Sequence, residues 1–311
     1  MNIAIIGSGP AGCIVASTLI KKGFSVTIFE ELNEFGGMLA YGIPEFRLPL
    51  KCVREKMNTL REQGVIFKNE RVNLFKDLLK KNGGDFDFVL LAIGYGKCKR
   101  LGLVGEQKRG VIDALDFLLE HKLNKKELVS PRDRVCVIGG GNSAMDSALL
   151  SKRIGAKTEI FYRRTKMEMP ALESELKKVE EEDIKINFLM NPIEFLGGDE
   201  LKSIVFELLK LGEIDSSNRP TPISTGEKIE VGFDKCIVAV GQKLDFLSLE
   251  SQGIKCNSRG IIIDDNFMTS VENIFAVGDC VYGPKTIADA IEHGLLFLEK
   301  MLANFGGKLN G

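Results

Sequence analysis

The sequence predicts an α/β fold of two Rossmann-like domains, the second inserted into the first. Three observations predict it. Apolar strand-like runs alternate with helical patterns, which points to parallel sheets. Two of those runs lead straight into glycine-rich turns, Gly7-Ser8-Gly9-Pro10-Ala11-Gly12 and Gly139-Gly140-Gly141-Asn142-Ser143-Ala144. A further strand-and-helix pattern closes the chain after the second unit has ended, so both chain ends belong to one domain. Residues 1–108 and 243–311 are expected to form that discontinuous domain, and 109–242 the inserted one.

Taken in order, a strand over 2–7 opens the first unit, followed by a helix over about 11–22 and a strand over 25–30. A helix over about 50–63 and a strand closing at Gly94 come next. Residues 101–109 are glycine-rich and charged, and read as a crossing between domains. The second unit repeats the pattern with a strand over 134–138, a helix over about 142–153 and a strand over 157–162. The charged run 171–183 reads as a solvated helix, and 213–228 (E-I-D-S-S-N-R-P-T-P-I-S-T-G-E-K) as a loop by composition. A buried strand over 236–241 ends at Gly241. A strand over 273–277, the turn Gly278-Asp279 and a helix from about Thr286 to 302 complete the pattern.

The 311 residues suffice for two domains with separate cores. Lys and Arg total 42 against 43 Asp and Glu, a balance that argues against nucleic acid as the main partner. No apolar run approaches the ~20 residues of a membrane span. With a strand expected from residue 2, no signal peptide is expected ahead of it. Cysteines 13, 52, 98, 136, 236, 256 and 280 form no Cys-x-x-Cys and read as free thiols in a reducing cytoplasm. No metal-ligand cluster and no serine–histidine–acid set stands out.

A dinucleotide turn needs glycine for a tight bend, for close backbone approach to pyrophosphate and for helix–strand packing. Gly7, Gly9 and Gly12 fill those positions, with Pro10 and Ala11 opening a helix whose N-terminus suits phosphate. Glu30 ends the next strand, where a carboxylate can bond ribose hydroxyls. The ligand reads as FAD. The run Asn273-Ile274-Phe275-Ala276-Val277-Gly278-Asp279 can place a carboxylate on a ribityl chain. The helix starting at Thr286 and Ile287 can aim its N-terminus at the flavin pyrimidine. Gly94 is assigned to the same site.

In the second turn Gly139, Gly141 and Ala144 take the three positions, with Asn142 and Ser143 between them. The strand after it ends in Arg163-Arg164 rather than an acid. NAD wants a carboxylate there for its 2′-hydroxyl, whereas NADP wants a cation for its 2′-phosphate, so the second ligand reads as NADPH. Gly241 is assigned to this site.

The string Gly36-Gly37-Met38-Leu39-Ala40-Tyr41-Gly42-Ile43-Pro44-Glu45-Phe46-Arg47-Leu48-Pro49 is distinctive. With V-I-G-G-G-N-S-A-M-D at 137–146, Y-R-R-T at 162–165, M-P-A at 169–171 and A-V-G-Q at 239–242, it resembles the two-dinucleotide flavoprotein superfamily that includes thioredoxin reductase. Within it the chain is most similar to the small (β) chains of NADPH-dependent glutamate synthase and the matching portion of dihydropyrimidine dehydrogenase. The resemblance covers nearly the whole chain. It implies an FAD domain carrying an inserted NADPH domain, with the segment 36–49 along the FAD. Gly37 and Leu39 then lie near the ring system, with Arg47 close by, and Met38 is assigned to the same site.

Leu50 stands where the family usually has Lys, so no role passes to it. The family commonly adds an N-terminal cysteine-rich iron–sulfur module, which this chain is expected to lack. The implied activity is hydride transfer from NADPH to FAD, with electrons passed to a protein acceptor such as an iron–sulfur protein or a large catalytic subunit. No side chain is assigned as catalytic, and His121 and His293 read as surface or packing residues. Two alternatives stay open. One is a ferredoxin- or thioredoxin-reductase-like enzyme with another acceptor, although the dithiol version needs the missing Cys-x-x-Cys. The other is a non-catalytic flavin-binding subunit of a complex.

Overall fold

A computed structural model describes residues 1–214 and 219–305 of the chain; residues 215–218 of the expected loop and 306–311 of the expected first domain lie outside the described residues. The chain divides into two compact units. One holds residues 1–41, 45–97 and those from 242 on; the other holds 42–44 and 98–241. The division falls at 97/98 rather than the expected 108/109. Residues 98–108 go with the second unit because Phe195 N donates to Val104 O at 3.0 Å and Arg109 N to Asp199 O at 2.9 Å.

The first unit begins with β1 (Asn2–Ile6), α1 (Pro10–Lys21) and β2 (Ser25–Glu30). The short helix α2 (Met38–Tyr41), then α3 (Leu50–Glu62), β3 (Ile66–Asn69) and β4 (Phe88–Leu91) follow. The two-residue strand β5 (Lys97–Cys98) marks the passage to the second unit. The chain returns through β14 (Gln242–Lys243), α7 (Phe246–Ser251), β15 (Ile274–Ala276), α8 (Asp279–Tyr282) and α9 (Ile287–Phe305).

Five strands form one parallel sheet in the order β15-β4-β1-β2-β3. Ile3, Ala4, Ile5, Val89 and Leu90 are fully buried, as expected of a parallel sheet covered on both faces. One face packs α1, α3 and α9 through Leu19, Met57 and Phe297, and the other packs Phe75, Phe86 and Leu249. Gly294 lets α9 approach α1, because a Cβ there would lie 2.7 Å from Ile14.

In the second unit β6 (Val111–Asp113), α4 (Ala114–Leu119), β7 (Arg134–Ile138) and α5 (Asn142–Ile154) come first. They are followed by β8 (Lys157–Tyr162), α6 (Glu173–Glu181) and β9 (Lys185–Phe188). With β13 (Lys235–Val238) these strands make a second five-stranded parallel sheet, ordered β6-β13-β7-β8-β9. Helices α4, α5 and α6 cover one face. The charged run is a helix as expected, although Leu176 and Val179 anchor it to the core.

The other face is covered by an antiparallel sheet of β10 (Met190–Leu196), β11 (Ser203–Ile214) and β12 (Pro220–Gly232). Phe206 stacks on Phe161 with ring centroids 4.2 Å apart. This sheet corrects the expected loop at 213–214 and 220–228, within the described part of that stretch. The Pro, Ser, Thr and Gly of that stretch look like loop composition, but β12 is an edge strand, where prolines remove no central ladder bond. Gly226 has φ 83°, and the pairing register shifts between Glu207 and Leu209, so part of the turn-like composition serves a bulge.

Candidate functional site

The first glycine turn joins β1 to α1. Gly7 has φ 102°, and a Cβ there would lie 2.3 Å from the Ala92 carbonyl oxygen. Gly12 packs the helix onto the strand, since a Cβ would meet the Gly7 carbonyl at 2.5 Å. A Cβ on Gly9, the N-cap of α1, would meet nothing within 4 Å. That open side is where a phosphate can approach the helix amides. Pro10 occupies the first helical position, where its missing N–H is harmless. Ala11 is buried against the core.

Glu30 is buried at the end of β2. Its carboxylate accepts from Ser8 N at 3.1 Å, Ser8 Oγ at 2.5 Å and Leu32 N at 3.1 Å. Ser8 Oγ in turn accepts from Gly36 N at 2.8 Å. The carboxylate thus ties the turn to the segment 36–49, a link that sequence reasoning missed because Ser8 sits at a variable position of the glycine pattern. Gly37 lies directly on the turn, where a Cβ would be 2.8 Å from Gly9 Cα. Met38 is exposed, and Leu39 and Arg47 are half-buried. Gly94, with φ 66° and no atom within 4 Å of a Cβ, leaves space beyond β4.

At the other end of this unit, Gly278 has φ 77° and packs on α1, and Asp279 opens the short α8 instead of an open turn. Asp279 Oδ1 is buried with no hydrogen-bond partner among the described residues. Burial pushes its carboxyl up to about 6, against a backbone hydrogen bond from Lys285. A buried acceptor in this state lacks a donor, and a sugar-alcohol hydroxyl supplies one. Thr286 caps α9 reciprocally with Asp289: Thr286 N donates to Asp289 Oδ2 at 3.0 Å, and Asp289 N to Thr286 Oγ1 at 3.2 Å. The amides of Ile287 and Ala288, at the positive end of the helix dipole, precede the capped one. The donor set, the open glycines and the lone carboxylate oxygen fit a flavin dinucleotide.

His293 is a packing residue, as expected. Its Nδ1 accepts from Gly278 N at 2.9 Å, and its ring lies against Phe267 and Tyr282. His121 is half-buried in a π-helical turn over Glu120–Asn124. All seven cysteines are free, and Cys13 and Cys280 are buried. Among the described residues no group of three or more His, Cys, Asp or Glu is placed to hold a metal ion.

The second turn joins β7 to α5. Gly139 has φ 145°, and a Cβ would lie 2.3 Å from Ala239 O; one on Gly140 would strike the Tyr162 ring at 2.5 Å. Gly141 caps α5, where a Cβ would only touch Pro170 Cγ at 3.9 Å, and Ala144 is buried at the third position. Ser143 is half-buried beside it. Asn142 Oδ1 accepts from Leu172 N at 2.9 Å, and Ala171 N donates to Gly140 O at 3.1 Å, so the M-P-A segment lies against the turn. Gly241 has φ 100° with no atom within 4 Å of a Cβ.

The two arginines part company. Arg164 is buried, and its Nε donates to Pro220 O at 2.8 Å, so it anchors the β11–β12 hairpin. Arg163 is exposed and lines a shallow pocket with Asn191, Glu207 and Ser224. Sequence spacing gave both residues one role, because the burial of Arg164 depends on a hairpin that composition disguised.

Among the described residues no helix is long and apolar enough to cross a membrane. A profile of the pyridine nucleotide-disulphide oxidoreductase family matches residues 1–294. The chain is 36% identical to subunit beta of the NADP(+)-dependent formate dehydrogenase of Moorella thermoacetica, over 94% of this chain and 42% of that one. It is 32% identical to a putative glutamate synthase [NADPH] small chain of Cereibacter sphaeroides, over 94% of this chain and 74% of the relative. It thus spans less than half of the formate dehydrogenase subunit. Mycobacterium tuberculosis FprA in complex with NADPH shares the fold at TM-score 0.80 and 20% identity, over 98% of this chain and 85% of FprA. The matched profile and the paired glycine turns agree: this chain belongs to the pyridine nucleotide-disulphide oxidoreductase family.

Proposed function

We propose that the chain takes a hydride from NADPH onto FAD and passes the electrons to a second protein. The observation that carries this reading is the contrast after two otherwise alike glycine turns: a buried Glu30 behind the first and an exposed Arg163 behind the second. FAD, when bound, supplies the two-electron chemistry that links a nicotinamide hydride to an electron acceptor.

The residues of the chain bind and orient. Amides at the starts of α1 and α5 take the two pyrophosphates, with Gly9 leaving the first approach open and Gly141 bringing only Pro170 Cγ to 3.9 Å of a Cβ at the second. Glu30 accepts from ribose hydroxyls while its other lone pairs hold Ser8. Asp279 accepts from the ribityl chain, which satisfies its buried oxygen. The α9 N-terminus, at Thr286 and Ile287, offers positive potential to the pyrimidine edge. Gly37, Met38, Leu39, Arg47 and Gly94 border the flavin. Asn142, Ser143 and Gly241 border the nicotinamide cofactor, and Arg163 reads its 2′-phosphate, held in place by the hairpin that Arg164 anchors.

The acceptor is a protein, an iron–sulfur protein or a large catalytic subunit. That two relatives are themselves named as a subunit and a small chain supports this choice. The chain works in the cytoplasm, where its seven free thiols stay reduced. Purified protein is expected to be yellow, to release one FAD per chain on denaturation and to reduce a dye with NADPH. Colourless protein, or yellow protein inert to NADPH, contradicts the reading.

A further inference from the structure

The pocket at Arg163 holds a second charge that has no task in the reading above. Its volume is about 200 Å³, several times the ~30 Å³ that a water occupies in the liquid, so a phosphate group has room. Arg163, Asn191, Glu207, Leu209, Pro222 and Ser224 line it, and all six belong to the second unit. Among these described residues Arg163 supplies the one positive charge and Glu207 the one negative.

The strand register explains why Glu207 is there. On β11 it follows Phe206, which is fully buried, so its side chain leaves the opposite face of the sheet. Asn191 is its pairing partner on β10, while Leu209 pairs with Ser224 and Leu211 with Pro222 on β12. Paired residues share a face, which gathers these side chains on one surface. Between the pairs Glu207–Lys228 and Leu209–Ser224, β11 advances two residues and β12 four. The extra residues of β12 form a bulge, a device that re-aims side chains next to sites. Thr225 Oγ1 pins the bulge by donating to Leu208 O at 2.9 Å. Ser224 Oγ accepts from Gly226 N at 3.0 Å and donates its own proton to Glu207 Oε1. The bulged strand thus fixes the carboxylate at the pocket wall.

We propose that Glu207 is a specificity-determining residue: its carboxylate opposes the 2′-phosphate and holds the preference for NADPH over NADH below what Arg163 alone would give. This rests on the reading that Arg163 takes that phosphate. A phosphate monoester carries nearly two negative charges at neutral pH. Arg163 attracts it and Glu207 repels it, and charges a few ångströms apart at a protein surface interact strongly enough to change an affinity tenfold. The 2′-hydroxyl of NADH is neutral, so the carboxylate acts on one nucleotide and spares the other.

The test measures NADP+ and NAD+ binding by calorimetry at low salt, on the full chain as wild type, Glu207→Gln, Glu207→Lys and Arg163→Ala. Glu207→Gln is expected to tighten NADP+ about tenfold and to move NAD+ less than about twofold. Glu207→Lys is expected to tighten NADP+ further, and added salt to shrink both gains. Unchanged or weaker NADP+ binding in Glu207→Gln overturns the proposal, as does an equal shift in both nucleotides. Loss of both nucleotides in both Glu207 variants assigns the carboxylate a structural role and overturns it too. Arg163→Ala that binds NADP+ as tightly as wild type overturns the 2′-phosphate reading and this proposal together. Weakened NADP+ binding in Arg163→Ala beside a silent Glu207→Gln overturns this proposal alone.

Discussion

The two glycine turns share a backbone plan and differ in what completes them. In the first, a third glycine is obligatory, because a Cβ on Gly12 would stand 2.5 Å from the Gly7 carbonyl. In the second, Ala144 fills that place, and its methyl is fully buried. The strand behind the first turn ends in a carboxylate that bends inward and organises Ser8. The strand behind the second ends in Tyr162, whose ring covers Gly140, before Arg163 turns outward and Arg164 inward. A carboxylate can serve ribose hydroxyls and backbone amides at once because it only accepts. Behind the second turn the structural task falls to Arg164, which bonds Pro220 O, and in the function proposed above the ligand-reading task falls to the exposed Arg163.

The largest expected effect breaks this comparison at its third position. Gly12→Ala forces a methyl into the Gly7 carbonyl and should destabilise the first unit by about 2–3 kcal/mol, with loss of bound flavin. Ala144→Gly should cost only about 1 kcal/mol, the helix propensity difference. Calorimetric melting with flavin quantitation checks both, and equal effects would show that the two turns pack alike.

The arginines come next. Arg163→Ala should raise the NADPH Michaelis constant roughly thirtyfold, about 2 kcal/mol for a charge-assisted phosphate bond, and leave NADH unchanged. Arg164→Ala should lower the melting temperature while preserving the NADPH-to-NADH ratio. Steady-state kinetics with both nucleotides separates the two roles. Glu30→Gln is expected to weaken FAD by about 1 kcal/mol, measured by fluorescence on refilling apoprotein.

The comparison also predicts a pH dependence. Burial raises the folded-state pKa of Asp279 to about 6 from 3.8, so the folded apoprotein holds this proton more tightly than the unfolded chain does. Its contribution to stability is present below the unfolded value and declines as pH rises from about 4 to about 6. Asp279→Asn should remove that decline. A ribityl hydroxyl that donates to the ionised carboxylate would make wild-type FAD affinity rise over the same range. Melting curves of apoprotein and flavin titrations across this range measure both.

Much of this was legible in the sequence, where a residue's role follows from local geometry. Gly7, Gly9, Gly12, Gly139 and Gly141 declare themselves because only a strand running into a helix demands glycine at that spacing. Glu30 and Arg163 follow from the length of one βαβ unit. What stayed hidden depends on partners distant in sequence. Ser8 matters through Gly36, and Arg164 through Pro220. The β11–β12 hairpin was hidden for a different reason. Edge strands tolerate Pro, Ser, Thr and Gly, so composition there imitates a loop.

Rapid mixing of the anaerobic, flavin-loaded protein with NADPH or NADH tests the account most directly. Bleaching of the flavin's visible band by NADPH at concentrations far below those needed with NADH is the predicted result. A band that neither nucleotide bleaches, or that both bleach equally well, would contradict it.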